Sequence, residues 1–464
     1  MNLRPQRGGV TASWRARPPG RGGPRFQNPG RVIAGAFAAA IVVGSVLLSL
    51  PVATRTGERA SLLDAVFTAT SSVCVTGLIT VDTGSYWSLF GQIVILSLIQ
   101  AGGLGLMTLA TLVVVVLSRR LGLRARLLAQ AQAKTLTVRD VRRVVRNVVL
   151  FSLGCEVVAA AVLSARFAIT YREPVGAALY HGVFHSISAF NNAGFSLHAD
   201  SLIGFAGDPW VLLTVATAVI VGGLGFPVVF ELARSWRRPG TWSVTTRITV
   251  IVSAVLLVVG TFILILVEWD NPVTLGPMPW GTKLLAGFFA AVMPRTAGFN
   301  AIDIAGMRPE SWLLTDILMF IGGGSAGTAG CIKVTTFGLL AFVLWAEIRG
   351  APGVNVGLRR VPAGNQRQAL AVALLGIGLA AAGTFILLSL TTHTLDAVAF
   401  EVISALGTVG LSTGITASLP DSAKILIIVL MYVGRLGPLT LASALALREK
   451  TLRYERPEER TIVG

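Results

Sequence analysis

The sequence predicts an all-α membrane protein. It has four parallel repeats, each a span, a short re-entrant helix, a loop and a second span. That makes eight transmembrane spans and four re-entrant loops, set around a pseudo-fourfold axis. Three observations predict it. The chain is 53% hydrophobic and 13% charged, with a mean hydropathy of +0.72, whereas soluble domains average about 25% charged residues. Its basic residues are gathered into a few segments, and two glycine motifs recur four times in register.

Residues 1–31 carry seven arginines and no acid and are rich in Pro and Gly, which predicts a basic, disordered cytoplasmic tail. A cleaved signal peptide is the rival, disfavoured because the next apolar stretch is longer than a signal core of about 7–15 residues. A bilayer crossing needs about 20 apolar residues. Stretches of that kind lie near 32–50, 89–117, 144–170, 209–233, 248–267, 312–345, 369–391 and 424–446. Shorter semi-apolar stretches, such as 61–73 and 180–190, suit re-entrant helices enclosed by protein or a water-filled cavity. The units are therefore repeat 1 over 32–118, a basic cytoplasmic loop 119–143, repeat 2 over 144–235, repeat 3 over 236–347, a cytoplasmic loop 348–368, repeat 4 over 369–447, and a cytoplasmic tail 448–464.

Charge sets the orientation. The segments 1–31, 119–146, 234–247, 347–368 and the tail after 447 hold 29 of the 39 Lys and Arg. With eight spans they all fall on one side, so both termini are expected in the cytoplasm. The opposite side is richer in acids, including Asp82, Asp200, Asp208, Glu268, Asp270, Asp303 and Asp421. The net charge of +17 is thus a topology signal, and no nucleic-acid partner is expected. Cys74, Cys155 and Cys331 show neither metal spacing nor a disulfide framework.

The first recurring motif is Phe, nine residues, then Gly followed by Leu or Phe: Phe67 to Gly77-Leu78, Phe184 to Gly194-Phe195, Phe288 to Gly298-Phe299, and Phe400 to Gly410-Leu411. The glycines are 117, 104 and 112 residues apart. Three copies share a serine six residues before the glycine, Ser71, Ser188 and Ser404, and the third has Val292. The second motif follows 25, 28, 24 and 24 residues after those glycines, starting at Gly102, Gly222, Gly322 and Gly434. Close helix packing explains one such motif, but not two in register four times.

This arrangement suits a cation pore. An ion entering hydrocarbon must exchange its hydration shell for protein oxygens, and backbone carbonyls provide them without a full charge that would hold the ion. Four loops around one axis provide a ring of them, and short helices ending at the loops aim their negative ends inward. The loops carry no ring of acids, which disfavours a calcium-type filter.

In the strings Val73-Cys74-Val75-Thr76-Gly77-Leu78 and Gly407-Thr408-Val409-Gly410-Leu411-Ser412-Thr413-Gly414 the chain resembles the potassium-transporter superfamily of TrkH, KtrB and plant HKT proteins, over roughly 31–447. Lacking additional spans in front, it looks most like KtrB. The resemblance implies potassium uptake through a channel-like pore, with a carbonyl selectivity filter at Val75, Thr76, Gly77, Asn192, Ala193, Gly194, Thr296, Ala297, Gly298, Thr408, Val409 and Gly410. Some plant members that pass sodium have serine in the first loop, where this chain has Gly77. It also implies a homodimer, a cytosolic nucleotide-binding ring of the KtrA type, and sodium activation, with no covalent cofactor. No Gly-x-Gly-x-x-Gly follows a strand in the chain, so a nucleotide sensor would be a separate protein. The alternative is a sodium-coupled secondary transporter with a midplane site. No Ser-His pair, Gly-x-Ser-x-Gly string or metal cluster marks an enzyme.

The expected gate is Gly322, Gly323, Gly324, Gly327, Gly330, Lys333 and Arg435. Each glycine forfeits about 1 kcal/mol in a helix relative to Ala, so a break in the sixth span is expected at 322–330. Arg435 is the lone charge between Lys424 and Arg448, and members of the resembled family place an arginine at this step of the last span. It acts either as a charge barrier or as a cap on the glycine-rich segment. Glu156 and Glu401 are buried-acid candidates, functional or scaffold. Asp64 and Asp396 open short helices. His181 and His185 read as packed helix. Arg295 is expected to point behind its loop.

Overall fold

A computed structural model describes residues 29–118, 138–325, 327–328, 332–351, 353–356 and 359–447. Residues 1–28 and 448–464 of the expected basic tails, 119–137 of the expected loop and the gate residue Gly330 lie outside the described residues, whereas 29–31, expected in the tail, and 138–143, expected in the loop, are helical. Among the described residues the fold is helical, with one pair of short strands: β1 (Asn355–Val356) pairs antiparallel with β2 (Arg359–Arg360), Asn355 opposite Arg360.

Four helical groups follow in chain order. The first is α1 (Pro29–Leu48), α2 (Leu62–Val73) and α3 (Leu89–Ser118). The second is α4 (Val138–Thr170), α5 (Val175–Phe190), α6 (Pro209–Leu224) and α7 (Phe226–Ser235). The third is α8 (Val244–Glu268), α9 (Trp280–Val292), α10 (Pro309–Phe320) and α11 (Val334–Ile348). The fourth is α12 (Ala363–Leu390), α13 (Leu395–Gly407) and α14 (Asp421–Leu447). Among the described residues, Val145–Thr170, Val244–Glu268 and Ala363–Leu390 are each long and apolar enough to cross a bilayer.

The expected continuous span 209–233 is corrected. It bends by 99° between α6 and α7, at Gly225 with φ +85°, directly before Phe226-Pro227. Glycine takes that left-handed dihedral freely, and Pro at the start of α7 needs no N–H partner. The stretch 312–345 is not one helix: α10 ends at Phe320 and α11 begins at Val334.

Local chemistry starts the short helices. Ser61 Oγ accepts from Asp64 N at 3.1 Å and donates to its carboxylate at 2.6 Å, while Thr80 Oγ1 donates to the other Asp64 oxygen at 2.7 Å. Asp208 caps α6 through Trp210 N at 2.9 Å and takes Arg166 Nε at 2.7 Å. Phe67, Phe184 and Phe400 are fully buried. In the third copy Phe288 is only half-buried and its neighbour Phe289 takes the interior place.

Packing runs within and across the groups. Within them, α1 lies on α2, α4 on α5, α8 on α9 and α12 on α13. Across them, α3 packs on α5, α6 on α9, α10 on α13, and α14 on α2. Each group's later helix therefore supports the next group's short helix, and the last returns to the first.

Candidate functional site

The loops after α2, α5, α9 and α13 share one backbone shape. Each has positive φ at two residues separated by one of ordinary φ: Val75 (+55°) and Gly77 (+96°), Asn192 (+59°) and Gly194 (+71°), Thr296 (+75°) and Gly298 (+72°), Thr408 (+50°) and Gly410 (+95°). A β-branched residue at positive φ is a genuine outlier, and three of the four first positions are Val or Thr. Such strain persists only where the surroundings over-determine the backbone.

The surroundings are a clasp onto the preceding helix. Thr76 N bonds Ser71 O at 2.8 Å, Ala193 N bonds Ser188 O at 2.7 Å, Ala297 N bonds Met293 O at 3.0 Å, and Val409 N bonds Ser404 O at 2.9 Å. The recurring serine adds a second tie. Gly77 N donates to Ser71 Oγ at 3.0 Å and Gly410 N to Ser404 Oγ at 3.1 Å. Ser188 Oγ instead donates to Phe195 O at 2.8 Å. Val292 has no hydroxyl, and Gly298 N bonds Met293 O at 3.4 Å.

The four glycines face one another's loops in cyclic order. A Cβ on Gly77 would run into Ala193 O, one on Gly194 would meet Ala297 O at 2.7 Å, one on Gly298 would run into Val409 O, and one on Gly410 would run into Thr76 O. The structure thus brings together all twelve residues expected in the filter, three from each loop. Gly194 and Gly410 are half-buried and the other ten are buried. The hydroxyls of Thr76, Thr296 and Thr408 and Asn192 Nδ2 have no hydrogen-bond partner among the described residues. The second glycine motif has a related use: a Cβ on Gly102, Gly222 or Gly434 would strike Val73 O, Phe190 O or Leu406 O, at the end of a short helix.

The residues expected at the gate meet the same neighbourhood. The non-helical segment after Phe320 is pinned by Gly322 N to Ile332 O at 2.9 Å and Val334 N to Gly323 O at 3.1 Å. It crosses the end of α6, with Gly324 N on Gly223 O at 2.8 Å and Thr328 N on Gly222 O at 3.3 Å. Gly327 lies against the same turn, where a Cβ would meet Gly223 O at 2.7 Å. Arg435, 3% exposed, donates from Nη1 to Thr328 O at 2.5 Å, and Thr328 Oγ1 donates to Asn192 Oδ1 at 3.2 Å. Lys333 occupies the position directly before α11, and its backbone oxygen accepts from Phe337 N at 3.1 Å.

The remaining candidates are all internally engaged. Glu401 accepts from Ser412 Oγ at 2.9 Å and from Thr416 Oγ1. Glu156 accepts from Gln100 and Asn191. Arg295 Nη2 donates to Ser253 Oγ on α8 at 2.7 Å, away from its loop. His185 uses Nδ1 on His181 O at 2.8 Å and Nε2 on Ser196 Oγ at 3.1 Å, and His181 pairs with Glu173 at 2.8 Å. Sequence reasoning missed the strained first positions as strained, because Val and Thr give no signal for positive φ. It also missed Glu268, fully buried and accepting from Asn271, Thr274, Ser311 and Arg308 N.

Apolar helices of bilayer length and four mutually abutting glycine loops define a helical membrane protein of the hairpin-and-loop class. Residues 36–452 match the family model described as TrkH, cation transport protein, and the chain belongs to that family. It is 41% identical over 431 residues to Ktr system potassium uptake protein B of Bacillus subtilis (strain 168), covering 93% of this chain and 96% of that one. It is 39% identical over 435 residues to Ktr system potassium uptake protein B of Vibrio alginolyticus, covering 94% of each. To potassium/sodium uptake protein NtpJ of Enterococcus hirae it is 34% identical over 444 residues, covering 94% and 97%. The crystal structure of the potassium transporter TrkH from Vibrio parahaemolyticus shares the fold, with a TM-score of 0.66 over 88% of this chain and 84% of that one at 18% identity.

Proposed function

We propose that this chain is the membrane subunit of a potassium uptake system and passes potassium through a single pore at the ring of four loops. The observation that carries the reading is the closed cycle in which each glycine faces the carbonyl before the next loop's glycine. Alternating signs of φ turn successive carbonyls to one side of a loop, so four such loops line an axis with oxygens that can replace hydration water. The short helices end at these loops, and their negative ends favour a cation there. Potassium as the cargo rests on the relatives named for it.

The glycine-rich segment and Arg435 form the gate in this reading. The segment bonds to α6, to Arg435 and to Asn192, so it joins the wall of the path to the filter. Regulation comes from a cytosolic nucleotide-binding ring of the KtrA type acting on a homodimer in the plasma membrane, with sodium as activator and both termini cytoplasmic. The relatives' description as parts of a Ktr system supports a multi-component assembly. The test is reconstitution in liposomes with potassium and sodium flux. Gly77→Ser places a side chain at φ +96° against Ala193 O, a strain of about 1–3 kcal/mol, and should lower the potassium-to-sodium flux ratio about tenfold. An unchanged ratio in a folded variant removes the filter assignment.

A further inference from the structure

The loops differ three residues before the glycine, where they carry Cys74, Asn191, Arg295 and Gly407. In the second loop that residue closes a circuit. Asn191, fully buried, donates from Nδ2 to Gln100 Oε1 at 2.7 Å, to Glu156 Oε1 at 3.2 Å and to Ile187 O at 2.9 Å. Gln100 Nε2 donates to both Glu156 oxygens, at 3.1 and 3.0 Å. Ser186 Oγ fixes the Glu156 backbone oxygen at 2.5 Å. The members come from three elements: Gln100 from α3 of the first group, Glu156 from α4, and Asn191 at the end of α5. A Cβ on Gly103 would run into Asn191 Oδ1, so α3 is glycine where the circuit needs room.

The donor set identifies the acceptor. Glu156 is 4% exposed and takes part in neither ion pair found among the described residues, which join Arg166 to Asp208 and His181 to Glu173. Amide N–H groups face both of its oxygens, which suits a carboxylate that only accepts. The bonds from Gln100 and Asn191 converge on this one group. They act on the residue immediately before Asn192, whose φ of +59° begins the left-handed turn of the loop. The third loop is also tied at this position, with Arg295 bonded to Ser253 of its own group.

We infer that Glu156, with Gln100, is a positioning residue for the second loop. It acts through Asn191 and makes the ion preference of the proposed filter depend on a contact between the first two repeats. The inference rests on the filter reading above. A glutamine at position 156 must turn an NH₂ toward one of the amide donors. If Gln100 rotates to meet it, Asn191 loses its 2.7 Å acceptor, so one bond of the circuit is lost either way. An aspartate at position 191 then restores the bonds among the three side chains with their polarity reversed, because Gln100 and the new glutamine both donate to it, while the bond to Ile187 O is given up.

Full-length protein in liposomes, assayed for potassium and sodium flux, decides the matter. Glu156→Gln should lower the flux ratio roughly fivefold, the factor carried by one hydrogen bond of ordinary net strength. Adding Asn191→Asp should recover part of that loss, which a merely structural role for Glu156 would not allow. Gln100→Met removes the 2.7 Å acceptor of Asn191 and both Gln100 bonds to Glu156, and should lower the ratio at least as much as Glu156→Gln. A monodisperse Glu156→Gln protein with an unchanged ratio, or no recovery in the double variant, overturns the inference. Should Glu156→Gln not fold, an unchanged ratio in Gln100→Met overturns it instead. Gly77→Ser runs alongside: if it lowers the ratio while the circuit variants do not, only this inference fails, and if it leaves the ratio unchanged, the filter reading fails and takes this one with it.

Discussion

Arg435 shows what a single residue can reveal and conceal. As the lone charge of a long apolar stretch, it is visible in the sequence, since a central arginine costs at least about 2.5–3.5 kcal/mol on insertion scales. Its partner is not visible, because Thr328 lies 107 positions away. The bond sets Arg435 against the glycine-rich segment, where the cap reading places it. Arg435→Ala removes a buried positive charge and a bond to a charged donor, worth about 1.5–3 kcal/mol. In the proposed pore it should raise cation flux at least about tenfold with the ion preference kept, because the loop carbonyls are untouched. Arg435→Lys keeps the charge but not the planar fork and should stay near the wild-type rate. Flux at or below wild type in a folded Ala variant leaves Arg435 as a cap alone. The strained first positions are the reverse case. Asn192 tolerates the left-handed region, but Val75, Thr296 and Thr408 are residues that avoid it, so only the clasp onto the preceding helix reveals them.

At the level of elements, the segment between Phe320 and Val334 is the one with a mechanical role in the proposed pore. It was legible as a surplus of glycines, but its seat on α6 was not, because Gly222 and Gly223 accept through backbone oxygens that any residue has. Removing 323–329 takes away the bonds to Gly223, Gly222, Asn192 and Arg435 together. The resting flux of the deletion variant should rise sharply, and a folded variant with normal flux would sink the gate reading. Glu268 marks an element boundary of another kind. It ends α8 and takes two donors from the start of α10, Arg308 N at 2.9 Å and Ser311 Oγ at 2.5 Å, as well as Asn271 and Thr274. Glu268→Ala orphans four donors at about 1–3 kcal/mol each if they stay dry. A loss of about 3 kcal/mol or more, read as a lower unfolding midpoint in detergent, is expected. The bend at Gly225 escaped the sequence because hydropathy runs unbroken through it, and only φ +85° before a proline turns the chain.

Across the whole molecule, the recurrence of one loop shape was the most legible feature, since two motifs in one register call for one backbone solution at each of the four loops. The order in which the copies meet was not legible. Spacing says that four loops exist, while the crossing of α3 to α5, α6 to α9, α10 to α13 and α14 to α2 says which touches which. The asymmetry of basic residues predicts that both termini lie in the cytoplasm. A reporter fused after Gly464, active only in the cytoplasm, should be active, and a reporter active only outside should be silent. The reverse pattern would invert the orientation and put the glycine-rich segment on the outer side.

The cycle of glycines also bears on how such a chain can change over generations. Because each glycine leans on the loop of another copy, a bulky replacement in one copy disturbs a second, and no copy can drift there on its own. Three residues upstream the loops carry four different residues, Cys74, Asn191, Arg295 and Gly407. A saturation library over the four loops should therefore find an abrupt frontier. Variation is tolerated behind the ring, loop by loop, and refused at Gly77, Gly194, Gly298 and Gly410 alike, so that four loops far apart in the chain remain bound to a common fate at one residue each.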